Sequence, residues 1–142
     1  MVKKHGKSVL YATFAFFLAL PGVSLSAQPK NIVHAGISPD NVQRVEIHGG
    51  SYYFKPDYII VKVNVPVEFT LKKDSSWLAH DFIMEEKDAG IVIDETLSTE
   101  KTIVVRFTPV RTGKFSFYCS KKFAFFKGHR KKGMEGTLEV GE

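Results

Sequence analysis

The chain has 142 residues, 44% hydrophobic, 13% aromatic and 25% charged, with a formal net charge of +5. That length suits one domain and that apolar content suits a packed core, which excludes a disordered chain and a multidomain assembly. The single cysteine excludes any disulfide within the chain.

Residues 1–27 read as a secretory signal. Lys3, Lys4 and Lys7 precede an apolar run from Val9 to Leu20; Pro21 and Gly22 break it, and Ser24, Ser26 and Ala27 supply the small residues of a cleavage site. The run falls short of the ~20 residues that a spanning helix needs. The expected product is periplasmic or otherwise exported and begins near Ala27 or Gln28. Without the three leader lysines it carries 17 basic and 15 acidic residues, a net of +2. Stable membrane insertion after cleavage is not expected.

Residues 28–50 read as an irregular arm, "QPKNIVHAGISPDN", followed by a first strand marked by Val42, Val45 and Ile47. Residues 51–142 then form the main body of the same domain. In "DYIIVKVNVPVEFTLKKD", Ile59, Val61, Val63 and Val65 share one face, and Val67, Phe69 and Leu71 share another beyond Pro66. That is the period-2 signature of two half-buried strands joined at a bend. "KTIVVRFT" places Ile103, Val105 and Phe107 together, "GKFSFYC" does so with Phe115, Phe117 and Cys119, and "GTLEV" ends the chain with Leu138 and Val140. Helical periodicity is nearly absent; its best candidate is a short turn within residues 120–128. Short alternating strands separated by turns predict an all-β, Greek-key β-sandwich or barrel. No repeat or linker interrupts it.

Residues with metal-binding side chains stand at the ends of these strands. His80 follows the strand ending near Asp74, Cys119 ends "KFSFY", and His129 and Met134 precede the last strand. An exported chain with one thiol gains from coordinating it, because a free thiol is open to oxidation. Two imidazoles, a thiolate and a weak axial thioether make up an electron-transfer copper site. His80, His129, Cys119 and Met134 supply that set, one copper per chain. Structural zinc prefers closed Cys/His sites without a thioether. A binuclear copper centre would need a second cysteine. His34 and His48 have no matching partners and read as structural or solvent-facing.

The chain resembles the cupredoxins, the small blue-copper proteins typified by plastocyanin and azurin. The likeness is carried by "FKPDYIIVKVNVPVEFTL", "AHDF", "FTPVRTGKFSFYC" and "HRKKGMEGTLEV", spanning about residues 51–142. It implies His80, Cys119 and His129 as equatorial ligands and Met134 as the axial one. Two departures stand out. Asp81 occupies a position that is commonly Asn in the family, where hydrogen bonds tie two ligand loops together. Nine residues separate Cys119 from His129, where familiar members have two to four. Loop closure costs only about 0.6 kcal/mol per doubling of length, against metal-site energies on the order of 10 kcal/mol. One site with an enlarged loop is therefore favoured.

That loop, "KKFAFFKGHRKK", places Lys121, Lys122, Lys127, Arg130, Lys131 and Lys132 within twelve residues that contain no acid. Export argues against a nucleic-acid ligand. At least two of Phe123, Phe125 and Phe126 are expected to fold inward over the metal pocket, leaving a positive collar that steers acidic partners. The expected function is one-electron transfer between redox proteins such as cytochromes or oxidases. Four protein ligands leave no open position for catalysis, so an enzyme is not expected. The alternatives are copper handling, for tolerance or delivery, and a metal-free interaction module.

Overall fold

The computed structural model describes residues 31–74 and 77–142. The expected leader, residues 1–27, lies outside the described residues. The strands in chain order are β1 (Ile32–His34), β2 (Gln43–Gly50), β3 (Tyr53–Lys55), β4 (Tyr58–Lys62), β5 (Val67–Lys73), β6 (Asp81–Glu86), β7 (Ile91–Thr96), β8 (Ile103–Phe107), β9 (Gly113–Tyr118) and β10 (Glu135–Gly141). They form a six-stranded sheet, in the order β1-β4-β10-β9-β6-β7, and a four-stranded sheet, β3-β2-β5-β8. Among the described residues the only helical elements are 3-10 turns at Lys87–Ala89 and Arg130–Lys132.

Alternation accounts for most of the strands. Val67, Phe69 and Leu71 of β5 are buried while Glu68 and Thr70 are not, and β9 buries Phe115 and Phe117. The two inward faces meet in one aromatic core. Phe54 packs edge-on against Phe82 and Phe117 at 5.3 and 5.5 Å between centroids, and Phe82 stacks on Phe117 at 5.0 Å. Full burial of each such ring is worth about 1.5–3 kcal/mol. One polar side chain sits in this interior with its needs met. Gln43 accepts the Lys62 N–H at 2.6 Å and donates to the carbonyls of Lys62 and Val65 at 3.1 and 3.3 Å. It fastens β2 to the turn after β4, where Asn64 takes a left-handed φ of 61°.

Three details differ from the sequence expectation. A strand, β1, lies inside the arm expected to be irregular, because Ile32, Val33 and His34 pair in parallel with Tyr58, Ile59 and Ile60. Three residues are too few to show alternation, and only long-range pairing makes them a strand. Strands β6 and β7 carry no clean sequence signal. In β6 Asp81, Phe82, Ile83 and Met84 are all buried in succession, so period 2 is erased. The run from Ile59 to Val65 stops being a strand at Lys62, and Val63 and Val65 sit half-buried in the turn.

The sheet order then sets the site. β9 lies between β10 and β6 and runs antiparallel to both, with Tyr118 opposite Glu135 on one side and Ile83 on the other. The end of β9 therefore meets the beginnings of β10 and β6. Cys119 follows β9, Met134 precedes β10 and His80 precedes β6, so all three arrive at one pole of the sandwich.

Candidate metal centre

At that pole His80, Cys119 and Met134 have no exposed surface, and His129 is 4% exposed. His80 Nδ1 lies 3.2 Å from His129 Nδ1, and Cys119 Sγ lies 3.9 and 3.5 Å from the same two nitrogens. Among the described residues this is the one group of three such side chains whose donor atoms converge. The set fits a shared ion on geometry. Nitrogens about 2.0–2.1 Å and a thiolate about 2.3 Å from one metal, as at zinc, lie within about 4.1 and 4.4 Å of each other. All three separations satisfy that bound without any atom moving. The donor chemistry, one soft thiolate with two imidazoles, suits copper.

Electrostatics prepare the imidazoles as ligands. Burial, reinforced by the neighbouring His129 and Lys73, pushes the His80 pKa down to about 4. Burial and Lys132 likewise lower that of His129. Both rings are thus neutral near pH 7, with lone pairs for a cation. His80 Nε2 is buried without a hydrogen-bond partner, so this ring's only polar contacts are those made by Nδ1. Burial also drives the Cys119 thiol up to about 11, so these surroundings by themselves disfavour an isolated thiolate. A cation reverses that preference by supplying the missing positive charge.

Asp81 ties two parts of the site together. It is 2% exposed and accepts the Ser120 N–H at 2.6 Å and the Ser120 hydroxyl at 2.5 Å, with Lys121 Nζ at 3.3 Å. Burial works to raise its pKa, but the hydrogen bonds from Ser120, Cys119 and Lys121 outweigh it and hold the carboxyl below the usual range. The acid in the common Asn position therefore still joins the His80 strand to the residue after Cys119.

The long loop is pinched shut at its base. The His129 N–H donates to the Lys121 carbonyl at 2.8 Å, so residues 122–128 form an excursion from a short connection. His129 is then held by the residues C-terminal to it. Its carbonyl accepts from the N–H groups of Lys132 and Met134, each at 3.0 Å, while the Met134 carbonyl accepts the Cys119 N–H at 3.0 Å. Backbone bonds thus link Met134 both to Cys119 and to His129. Inside the excursion, the Phe126 N–H closes a turn on Phe123, with Ala124 at a left-handed φ of 45°.

The inward-folding phenylalanines do not occur. Phe123, Phe125 and Phe126 are 67%, 105% and 65% exposed. The pocket is already closed without them, and the pinch at Lys121 and His129 turns the excursion outward. Tyr52 and Gly49 are neighbours of the site that the sequence reading missed. The Tyr52 ring meets that of His129 edge-on at 4.9 Å, with Lys132 Nζ 4.1 Å above its centre. A Cβ on Gly49 would come within 2.6 Å of Leu97 and 3.5 Å of Met134. The tract "HGGSYY" carries the one available signal, paired glycines before paired tyrosines at a turn. His34 stands in the edge strand β1, and His48 is held 2.9 Å from Asp74 and 2.8 Å from Glu46; neither joins the centre.

A family model described as "Cupredoxin-like domain" matches residues 11–138. Among solved structures, the chain is similar to the metal-binding domain of the Cu(I)-exporting P-type ATPase CopA of Streptococcus pneumoniae D39 with Cu(I). That match has 23% identity and a TM-score of 0.61, and covers 81% of this chain and 100% of the other. Auracyanin from Roseiflexus castenholzii matches at 16% identity and a TM-score of 0.54, over 70% of this chain and 97% of its own. The periplasmic domain of cytochrome oxidase subunit II from Bradyrhizobium japonicum matches at 14% identity and 0.53, over 70% and 83%. These likenesses establish the fold. No curated protein matches by sequence.

Proposed function

The chain belongs to the cupredoxin-like family, and from that premise we propose that it is an exported mononuclear copper protein that carries single electrons between redox partners. The observation that carries this reading is the buried convergence of His80, Cys119 and His129, with the buried Met134 tied to Cys119 and His129 by backbone hydrogen bonds. In this reading His80, Cys119 and His129 would hold the metal and Met134 would supply a weak thioether donor. Bound copper would supply a Cu(I)/Cu(II) couple. The chain's own residues do the rest. The backbone bonds that join Met134 to Cys119 and to His129, and the Asp81–Ser120 tie, fix the segments that carry the donors. A site that does not rearrange keeps the reorganisation cost of electron transfer small.

His129 is the ligand candidate nearest solvent, lining a surface depression with Trp77, Lys121, Lys122 and Phe123. It gives electrons their shortest way out, toward cytochrome- or oxidase-type partners. Four protein donors leave no place for a substrate, which favours a carrier over an enzyme.

The second reading is copper handling, since a fold neighbour is the Cu(I)-bound domain of a copper exporter. Voltammetry with stopped-flow mixing separates the two. A carrier gives a reversible one-electron couple and exchanges electrons rapidly with a cytochrome. A handling protein surrenders Cu(I) to a chelator of moderate affinity and shows sluggish electron exchange.

A further inference from the structure

The excursion from residue 122 to residue 128 is unused by the metal centre. Its tip is apolar and exposed. Phe125 stands clear of the fold, Phe123 and Phe126 stack at 6.2 Å between centroids, and Trp77, 90% exposed, lines a depression shared with Phe123. The tip is ringed by charge of one sign. No acid occurs from residue 119 to residue 134. Among the described residues Lys122, Lys127 and Lys131 make no ion pair, and all three line a depression with Phe125 and Phe126.

Exposed aromatics on a projecting turn would be an aggregation liability without a surface to receive them. A protein partner would need a cleft shaped to this protrusion. A bilayer interface deforms around it, and aromatic rings favour the headgroup level while flanking cations meet anionic lipid. Each cation near an anionic leaflet strengthens partition by about fivefold. The charge is local: the chain from residue 28 on carries only +2 overall, whereas residues 121–132 carry six cations.

We propose that the loop carrying Phe123, Phe125 and Phe126, together with Trp77, inserts into the headgroup region of an anionic phospholipid membrane and brings the site to the level of that surface, beside partners embedded in it. The inference stands on the loop itself and not on the identity of the metal. Docking there would confine the protein to a plane shared with integral membrane partners. No helix of the described residues is long and apolar enough to cross a membrane.

Trp77 is the only tryptophan, so it reports on this contact alone. The chain as isolated after export is mixed with vesicles of phosphatidylglycerol or of phosphatidylcholine, with and without brominated acyl chains. Expected on the anionic vesicles are a blue shift of Trp77 emission and quenching by bromine, both weakening with salt, and neither on the neutral ones. Partition should fall at least tenfold in Phe125→Ser/Phe126→Ser, and also in Lys122→Gln/Lys127→Gln/Lys131→Gln. Near-ultraviolet circular dichroism of each variant checks the fold, which these exposed positions should leave intact. The proposal is overturned if anionic vesicles leave Trp77 unchanged, if the phenylalanine variant partitions like wild type, or if the loop binds an acidic protein but no vesicle.

Discussion

Asp81 accepts two hydrogen bonds from Ser120, one from the N–H at 2.6 Å and one from the hydroxyl at 2.5 Å, and so fastens the strand after His80 to the residue after Cys119. Removing the carboxylate leaves a partly buried N–H without its acceptor, at a cost of about 1–3 kcal/mol. Asp81→Ala is therefore expected to lower stability by about 2 kcal/mol in urea denaturation. Asp81→Asn, which keeps an acceptor oxygen, should lose less than half of that. The alanine variant should also broaden the visible and EPR signals of the copper-loaded site, because the two ligand-bearing segments are no longer fixed to each other.

The pinch between His129 N–H and the Lys121 carbonyl makes the excursion dispensable for the centre. Replacing residues 122–128 by a short glycine-containing turn should change stability by less than about 1 kcal/mol, since each halving of loop length alters closure by only about 0.6 kcal/mol. The copper spectrum should survive and the vesicle binding should vanish. Denaturation and copper titration of the same protein check both halves.

Copper should stabilise the fold by binding only the folded chain. At free metal a hundred times Kd the gain is about 2.7 kcal/mol. Thermal denaturation with and without copper should show that gain in the wild type and lose it in Cys119→Ser. Cys119→Ser itself should fold, since it substitutes one small buried group for another of similar size.

His48 gives the pH dependence a defined sign. Asp74 first and Glu46 second raise its pKa above the ordinary value of 6.5. The folded state thus holds a proton that the unfolded state releases. That stabilisation is complete below about pH 6.5 and is lost as pH rises through the folded value. Asp74 and Glu46 are held low, by Tyr53 with His48 and by Lys72 with His48 respectively, so their share is present above the ordinary carboxylate range and lost in acid. His48→Asn should therefore cost stability at pH 6 and nearly nothing at pH 9. The residue is more than a third exposed, so solvent screening keeps the effect small.

Most of the sandwich was legible because one face of most strands is wet. Val67, Phe69 and Leu71 alternate with polar residues, and so do Phe115 and Phe117, because the pleat sends neighbours to opposite sides. Where both sides are dry, as from Asp81 to Met84, the pattern disappears. The convergence of His80, Cys119 and His129 could be anticipated from type and order, since strand ends are where such side chains can meet. Their spacing in the chain said little, because the long separation of Cys119 from His129 is cancelled by one backbone bond at Lys121. The direction of Phe123, Phe125 and Phe126 was not legible at all. It depends on how that bond throws the loop outward, and a hydrophobic side chain in a loop carries no mark of which way it faces.

The most direct measurement is titration of the metal-free protein with Cu(II), followed in the visible region and by EPR, for wild type, Cys119→Ser and His129→Ala. Expected is an intense thiolate-to-copper band that saturates at one metal per chain, absent in Cys119→Ser and markedly altered in His129→Ala. A wild-type protein that gains no such band, or a spectrum that His129→Ala leaves unchanged, would contradict a shared ion among His80, Cys119 and His129.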